Sequence, residues 1–116
     1  MDRQTKIVDL TYLKSMSEGN DELIKEMIDI FKKQIPEFLT EMNSFYEQGK
    51  FESLGALAHK AKSSVYIMGM SDLAAKLKDF ELLAKKGEKQ ETYPNYIKEF
   101  EKSCAAAIDE LDQLFS

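Results

Sequence analysis

The chain has 116 residues, 43% of them hydrophobic and 32% charged, a composition typical of a folded globular protein rather than a disordered one. We expect one domain over residues 1–116, long enough to bury a modest core. The net charge of −5 argues against nucleic acid as a partner, because proteins that bind the phosphate backbone usually carry a basic excess. The apolar runs are short and no signal-like segment begins the chain, so we expect neither a membrane span nor secretion.

The helical periodicity of apolar residues extends over nearly the whole chain and predicts an all-α fold. A short first helix is predicted over residues 9–16, with Leu10 and Leu13 directed inward. The loop that follows ends at Asn20, a favourable N-cap for a second helix.

The second helix is predicted to run to Gln48 and to end at Gly49. Pro36 lies inside it and should kink it near Lys32, because proline removes a backbone hydrogen bond and crowds the preceding turn. The predicted inward positions are Leu23, Met27, Phe31, Ile35, Phe38, Met42 and Phe45.

A third helix is predicted over residues 51–68, ended by Gly69, and Ser71 is expected to cap a fourth helix that ends at Gly87. The short turn between them requires the two helices to be antiparallel neighbours. The inward positions are Phe51, Leu54, Ala58, Ala61, Val65 and Met68 on the third helix, and Leu73, Leu77, Phe80 and Ala84 on the fourth.

After a loop over residues 88–92, the last helix begins with Pro94 in its first turn. Its predicted inward positions are Ile97, Phe100, Cys104, Ala107 or Ile108, Leu111 and Leu114. Cys104 is the only cysteine, so no internal disulfide can form and we expect a reducing, cytoplasmic location. Met27, Met42, Met68 and Met70 are interpreted as packing residues.

His59 is the only histidine, and on the helical wheel it points roughly 150° away from the inward stripe of the third helix. Its neighbours one turn away are Gly55, Ala56, Lys62 and Ser63, three of them small. A glycine inside a helix is unfavourable by about 1 kcal/mol relative to alanine, and we expect Gly55 to clear space beside the imidazole. The spacing therefore predicts an exposed histidine that is open to a large partner.

The pattern around His59 resembles the histidine-containing phosphotransfer (HPt) domain family. The matching residues are Ala58, His59, Lys62, Ser64 and Gly69, while Ala61 and Ser63 depart from the family's frequent leucine and glycine. The resemblance implies an antiparallel four-helix bundle, here with a short additional N-terminal helix. It also implies phosphorelay signalling, in which His59 accepts a phosphoryl group from one receiver-domain aspartate and passes it to another.

The side chains around His59 suit that chemistry. A neutral imidazole is a nucleophile near pH 7, and phosphoryl transfer mainly requires positioning and charge neutralisation. Lys62 is placed to offset phosphoryl charge, whereas Lys60 points elsewhere and adds local positive potential. Ser63 has either of two roles, a hydrogen bond to the imidazole or phosphoryl group, or one back to its own helix.

By resemblance, the partners are receiver domains of response regulators or hybrid histidine kinases. These would supply Mg²⁺, and this chain would hold no cofactor or metal of its own. Tyr66 and Ile67 are expected to add apolar contacts, although Tyr66 could instead pack on the second helix. The complete predicted docking set is Gly55, Ala56, Lys60, Ser63, Tyr66 and Ile67.

Other chemistries lack the residues they need. The five glycines form no phosphate-cradling loop, so we expect no autonomous kinase activity, and one histidine with one cysteine cannot furnish a zinc site. Two alternatives stay open: an adaptor bundle that binds partners without accepting phosphate, and a phosphotransfer domain excised from a larger histidine kinase. Met1 and the end of the chain at Ser116 favour a free-standing protein, which we expect to be a monomer.

Overall fold

The computed structural model describes residues 7–115, and this part of the chain is helical with no strand. The ends of the predicted domain, residues 1–6 and 116, lie outside the described range. The helices are α1 (Thr11–Met16), α2 (Asp21–Gln48), α3 (Phe51–Ile67), α4 (Ser71–Lys86) and α5 (Tyr93–Phe115), with a short 3₁₀ turn at Gln90–Thr92 before α5. No helix in the described part is both long enough and apolar enough to cross a membrane.

The four long helices form the antiparallel bundle that the resemblance implied. In this bundle α3 packs between α2 and α4, and α5 contacts the same two helices on the opposite side. The connections between α2 and α3 and between α3 and α4 are only a few residues long, so consecutive helices reverse direction. One face of α3 is therefore buried, while the opposite face stays in contact with solvent.

The start of α2 agrees with the sequence in its cap but not in its buried face. Asn20 caps the helix, since its side-chain oxygen accepts hydrogen bonds from two backbone amides of the first turn. Leu23, however, is exposed, and Ile24 and Ile28 are buried in its place. The prediction was wrong because Ile24 and Ile28 continue the seven-residue spacing of Phe31 and Ile35 backwards, whereas Leu23 lies about 100° round the helix.

The remaining predicted stripe of α2 is buried or partly buried, and Gly49 ends the helix with a φ of 70°. The helix continues through Pro36 without interruption, and the kink stays a prediction. In α5, Ala107 is fully buried and Ile108 only partly. The inward prediction for Leu114 was wrong: it is exposed, and the buried stripe of α5 ends one turn earlier, at Leu111.

The turn between α3 and α4 is held by the segment before α1. Asp9 donates its backbone N–H to the carbonyl of Met68 at 2.9 Å. Gly69 has a φ of 75°, and a Cβ there would collide with Asp9, so both the backbone conformation and the close approach require glycine. Met70, not Ser71, is the N-cap of α4, since Ser71 is already helical. Likewise α1 begins at Thr11, two residues later than predicted.

The far end of the bundle is closed by aromatic side chains. The Phe80 ring lies 5.5 Å from the Tyr93 ring and stacks on Tyr96 with centroids 5.0 Å apart. Phe51 meets Tyr93 edge-on at 5.3 Å. Such ring pairs add to the burial of apolar area and hold the ends of α3, α4 and α5 together. The buried residues include Cys104, Met42, Met68 and Met70, as predicted, while Met27 is half-buried.

Candidate functional site

His59 lies on the solvent-facing side of α3, as the helical wheel predicts. Its side chain is 56% exposed, whereas the preceding Ala58 is fully buried among the helices. The imidazole is not open on every side, because its Nδ1 atom lies against a carboxylate from α4. The expected exposure of His59 is therefore confirmed, with the Nδ1 edge of the ring occupied by a contact to α4.

That carboxylate belongs to Glu81, whose side chain is only 9% exposed. Each of its oxygens lies 3.1 Å from Nδ1 of His59. Lys85 donates to Oε2 at 2.9 Å, and Lys62 donates to Oε1 at 3.4 Å. One buried carboxylate thus accepts hydrogen bonds from three side chains, two on α3 and one on α4.

These contacts determine the charge of Glu81. Burial by itself raises the pKa of the carboxyl group, but hydrogen bonds from Lys85, His59 and Lys62 outweigh it and lower the pKa from 4.5 to about 2. Glu81 is therefore ionised at neutral pH and can only accept hydrogen bonds.

The ionised carboxylate also determines the tautomer of the imidazole. Since Glu81 can only accept, Nδ1 of His59 must carry a proton. The proton of the neutral ring is then on Nδ1, and the Nε2 lone pair is available. The arrangement presents a nucleophilic nitrogen at the outer edge of a half-exposed ring.

Gly55 has a different role from the one predicted. It is buried, and a Cβ at this position would lie 2.7 Å from Cγ of Lys85 and 3.0 Å from the carbonyl oxygen of Glu81. The expectation that Gly55 lies open beside His59 was wrong. The missing side chain instead lets α4 approach α3, which brings Glu81 within reach of the imidazole.

The other predicted neighbours surround His59 on the surface. Ala56, Lys60 and Ser63 are exposed, and Lys62 is half-buried beside Glu81. The Ser63 hydroxyl donates to the backbone carbonyl of His59 at 3.4 Å, so of the two possible roles it adopts the bond within its own helix. A cationic and small-residue surface therefore surrounds the free edge of the ring.

Tyr66 and Ile67 lie beyond this surface, towards α1. Tyr66 is 56% exposed and meets the ring of Tyr12 edge-on, with centroids 5.8 Å apart. Its ring contact is therefore with α1, whereas the alternative interpretation placed it on α2. Both tyrosines line a shallow groove with Ile67 and Ala74. Lys62 reaches the same groove, so the apolar surface is continuous with the site of the histidine.

Sequence reasoning missed Glu81, Lys85 and Tyr12. A signal for Glu81 was present, because it follows Leu73 and Leu77 at four-residue steps and so occupies the flank of the buried stripe of α4. An acidic residue in such a position usually has a partner. Nothing in the spacing of Tyr12 indicated that it would meet Tyr66.

Within residues 7–115, no group of three or more His, Cys, Asp or Glu side chains is placed to hold a metal ion. A protein-family model described as Hpt domain matches residues 26–115, which include α3, α4, α5 and most of α2. Comparisons with curated protein sequences and with solved structures found no match.

Proposed function

Because the chain belongs to the Hpt domain family, whose members are histidine phosphotransfer carriers of phosphorelays, we propose that His59 is its phospho-acceptor. The observation that supports this most directly is the ring itself, 56% exposed and with Nδ1 engaged by Glu81, which leaves Nε2 as the nitrogen that can react. The proposed domain comprises residues 1–116 and acts as a carrier without kinase activity of its own.

In the proposed reaction, Nε2 of His59 attacks the phosphorus of an aspartyl phosphate on a receiver domain. The Nε2–P bond forms, the P–O bond to the aspartate breaks, and the aspartate leaves as a carboxylate. The phosphorylated ring still carries its Nδ1 proton and is therefore positive, and the Glu81 carboxylate beside Nδ1 offsets that charge. Transfer to a second receiver aspartate is the same exchange in reverse.

In this proposal, cations of both the receiver and this chain neutralise the charge on the phosphoryl oxygens. The receiver is proposed to supply Mg²⁺, and Lys62, one helical turn from His59, supplies a cation from this chain. Its contact with Glu81 is the longest of the three at 3.4 Å, so Lys62 is the partner of Glu81 that we expect to turn most readily to the phosphoryl group.

The proposed docking surface surrounds the free edge of the ring. It consists of Ala56, Lys60 and Ser63 near His59 and of Tyr66 and Ile67 further along α3, with Gly55 acting beneath it. The exposed Lys60 suits an acidic receiver pocket, and the exposed Tyr66 ring suits an interface.

The test is intact-mass analysis after the protein is mixed with phosphorylated, Mg²⁺-loaded receivers. The wild type should gain one acid-labile phosphoryl group, and His59→Gln should gain none. Glutamine can still donate a hydrogen bond to Glu81, so this variant should stay folded. Labelling of His59→Gln equal to the wild type would contradict the assignment. No labelling of the wild type by any receiver would favour the adaptor bundle or a kinase donor.

Lys62→Ala tests the electrostatic role separately. We expect slower transfer from the same receivers, without its complete loss, because Mg²⁺ on the receiver still neutralises much of the charge. A transfer rate equal to that of the wild type would remove Lys62 from the mechanism.

A further inference from the structure

Glu81 accepts hydrogen bonds from two lysines that differ in their distance from the carboxylate and in the helix that carries them. Lys85 lies on the same helix, four residues after Glu81, in the order that favours an ion pair. Lys62 comes from α3 and makes the longer contact. The distances are 2.9 Å for Lys85 and 3.4 Å for Lys62, so Lys85 is the closer cation.

The stem of Lys85 also packs against α3, with 46% of the side chain exposed compared with 26% for Lys62. It lies across the backbone of α3 at Gly55, where a Cβ would come within 2.7 Å of its Cγ atom. The side chain of Lys85 therefore occupies a slot that only glycine leaves open, and its ammonium group is directed towards Oε2 of Glu81. Lys62 is directed towards Oε1, on the side nearer the groove that Tyr66 lines.

The two positions matter once a phosphoryl group is present, and this step rests on the proposed function. A phosphoryl group carries close to two negative charges and attracts the nearest mobile cation. If Lys62 moves to it, Glu81 loses one of its two ammonium partners while it is still buried. The buried carboxylate is then left with the Nδ1–H of His59 and the ammonium group of Lys85 as its partners.

We propose that Lys85 is a positioning residue for phosphotransfer: anchored over Gly55, it keeps Glu81 in place as the acceptor of the His59 Nδ1 proton while Lys62 turns to the phosphoryl group. Each anion then has its own cation, Lys85 for Glu81 and Lys62 for the phosphoryl group. Lys85 acts through Glu81, whose carboxylate contacts both the Lys85 ammonium group and the imidazole.

The test uses Lys85→Met, which keeps an unbranched stem over Gly55 and removes the charge. Lys85→Arg restores a cation at the same place. Lys86→Met is the matched control, because it removes one positive charge from the next, exposed position of α4. Circular dichroism establishes that each variant is folded.

The first readout is ¹⁵N NMR of the ring, which is unambiguous because His59 is the only histidine. In the wild type, in Lys85→Arg and in Lys86→Met, the neutral ring should carry its proton on Nδ1. In Lys85→Met the two ring resonances should shift towards each other, as the tautomer with the proton on Nε2 becomes populated. A purely structural role for Lys85 would leave the tautomer unchanged.

The second readout is the initial rate of phosphorylation by phosphoramidate, a small donor that needs no partner protein. The Nε2–P bond forms, the P–N bond breaks, and the protonated nitrogen leaves as ammonia. Lys85→Met should be labelled about two- to fivefold more slowly than the wild type, the range expected for loss of a partly exposed ion pair. Lys85→Arg and Lys86→Met should stay near the wild-type rate.

A wild-type tautomer and a wild-type labelling rate in Lys85→Met would overturn the proposal, as would equal slowing in Lys86→Met. Failure of the proposed function is a different result. In that case His59 of the wild type would take no phosphoryl group from phosphoramidate or from receivers, while the NMR measurement would still decide whether Lys85 controls the tautomer.

Discussion

The substitution Gly55→Ala tests whether α3 and α4 approach as closely as the site requires. The new Cβ would lie 2.7 Å from Cγ of Lys85, 3.0 Å from the carbonyl oxygen of Glu81 and 3.1 Å from the amide nitrogen of Lys85. Favourable carbon contacts are about 3.5–4.0 Å. The lysine stem would have to leave its position over Gly55, and the two backbone atoms belong to α4, so the helices must separate by a few tenths of an ångström.

Two opposing free energies decide the outcome. Alanine is favoured over glycine inside a helix by about 1 kcal/mol. Overpacking of a close contact is unfavourable by about 1–3 kcal/mol. We therefore expect Gly55→Ala to leave the free energy of unfolding unchanged or to lower it by up to about 2 kcal/mol, a fall in Tm of up to about 10 °C for a domain of this size.

The assay is thermal and urea unfolding followed by circular dichroism. Ala56→Gly is the control, because Ala56 is exposed next to Gly55 and reports the helix propensity alone. It should lower the stability by about 1 kcal/mol. If Gly55→Ala instead raises the stability by the amount that Ala56→Gly lowers it, helix propensity accounts for the whole change in stability. That result would refute the close approach of α4 to Gly55.

Three further predictions concern buried polar groups. Because the folded-state pKa of Glu81 is lowered to about 2, its ionised form stabilises the fold above about pH 4.5 by up to about 3 kcal/mol, less as solvent screens its partners. In urea titrations at several pH values, Glu81→Gln should be less stable than the wild type at neutral pH. The difference in free energy of unfolding between the two proteins should shrink between about pH 4.5 and 2, and a constant difference would contradict this. The buried Tyr93 hydroxyl lies 2.8 Å from the carbonyl oxygen of Leu83 and 2.6 Å from that of Glu88. Tyr93→Phe should therefore lower the free energy of unfolding by about 1–2 kcal/mol. An unchanged urea midpoint would argue against this prediction. Burial raises the pKa of the Cys104 thiol to about 12, so iodoacetamide should label it only after denaturation, whereas rapid labelling of the folded protein would be inconsistent with its burial.

The sequence by itself determined the helices and the face on which the histidine lies. Asn20, Gly49 and Gly87 mark helix ends through local backbone chemistry, which operates without tertiary contacts. The exposure of His59 follows from the helical period of α3, because its apolar stripe can face only the core. Periodicity was less decisive at the start of α2, where Leu23 and Ile24 are both apolar and only packing selects between them.

Only the tertiary structure decided what surrounds the imidazole. Glu81 is 22 residues from His59, and its distance from Nδ1 depends on how far α4 is shifted and rotated against α3. The period of a helix specifies a face but not its register against a neighbouring helix, which is set by close contacts such as the one at Gly55. The meeting of Tyr12 with Tyr66 depends on packing in the same way, because it joins two helices that are distant in the chain.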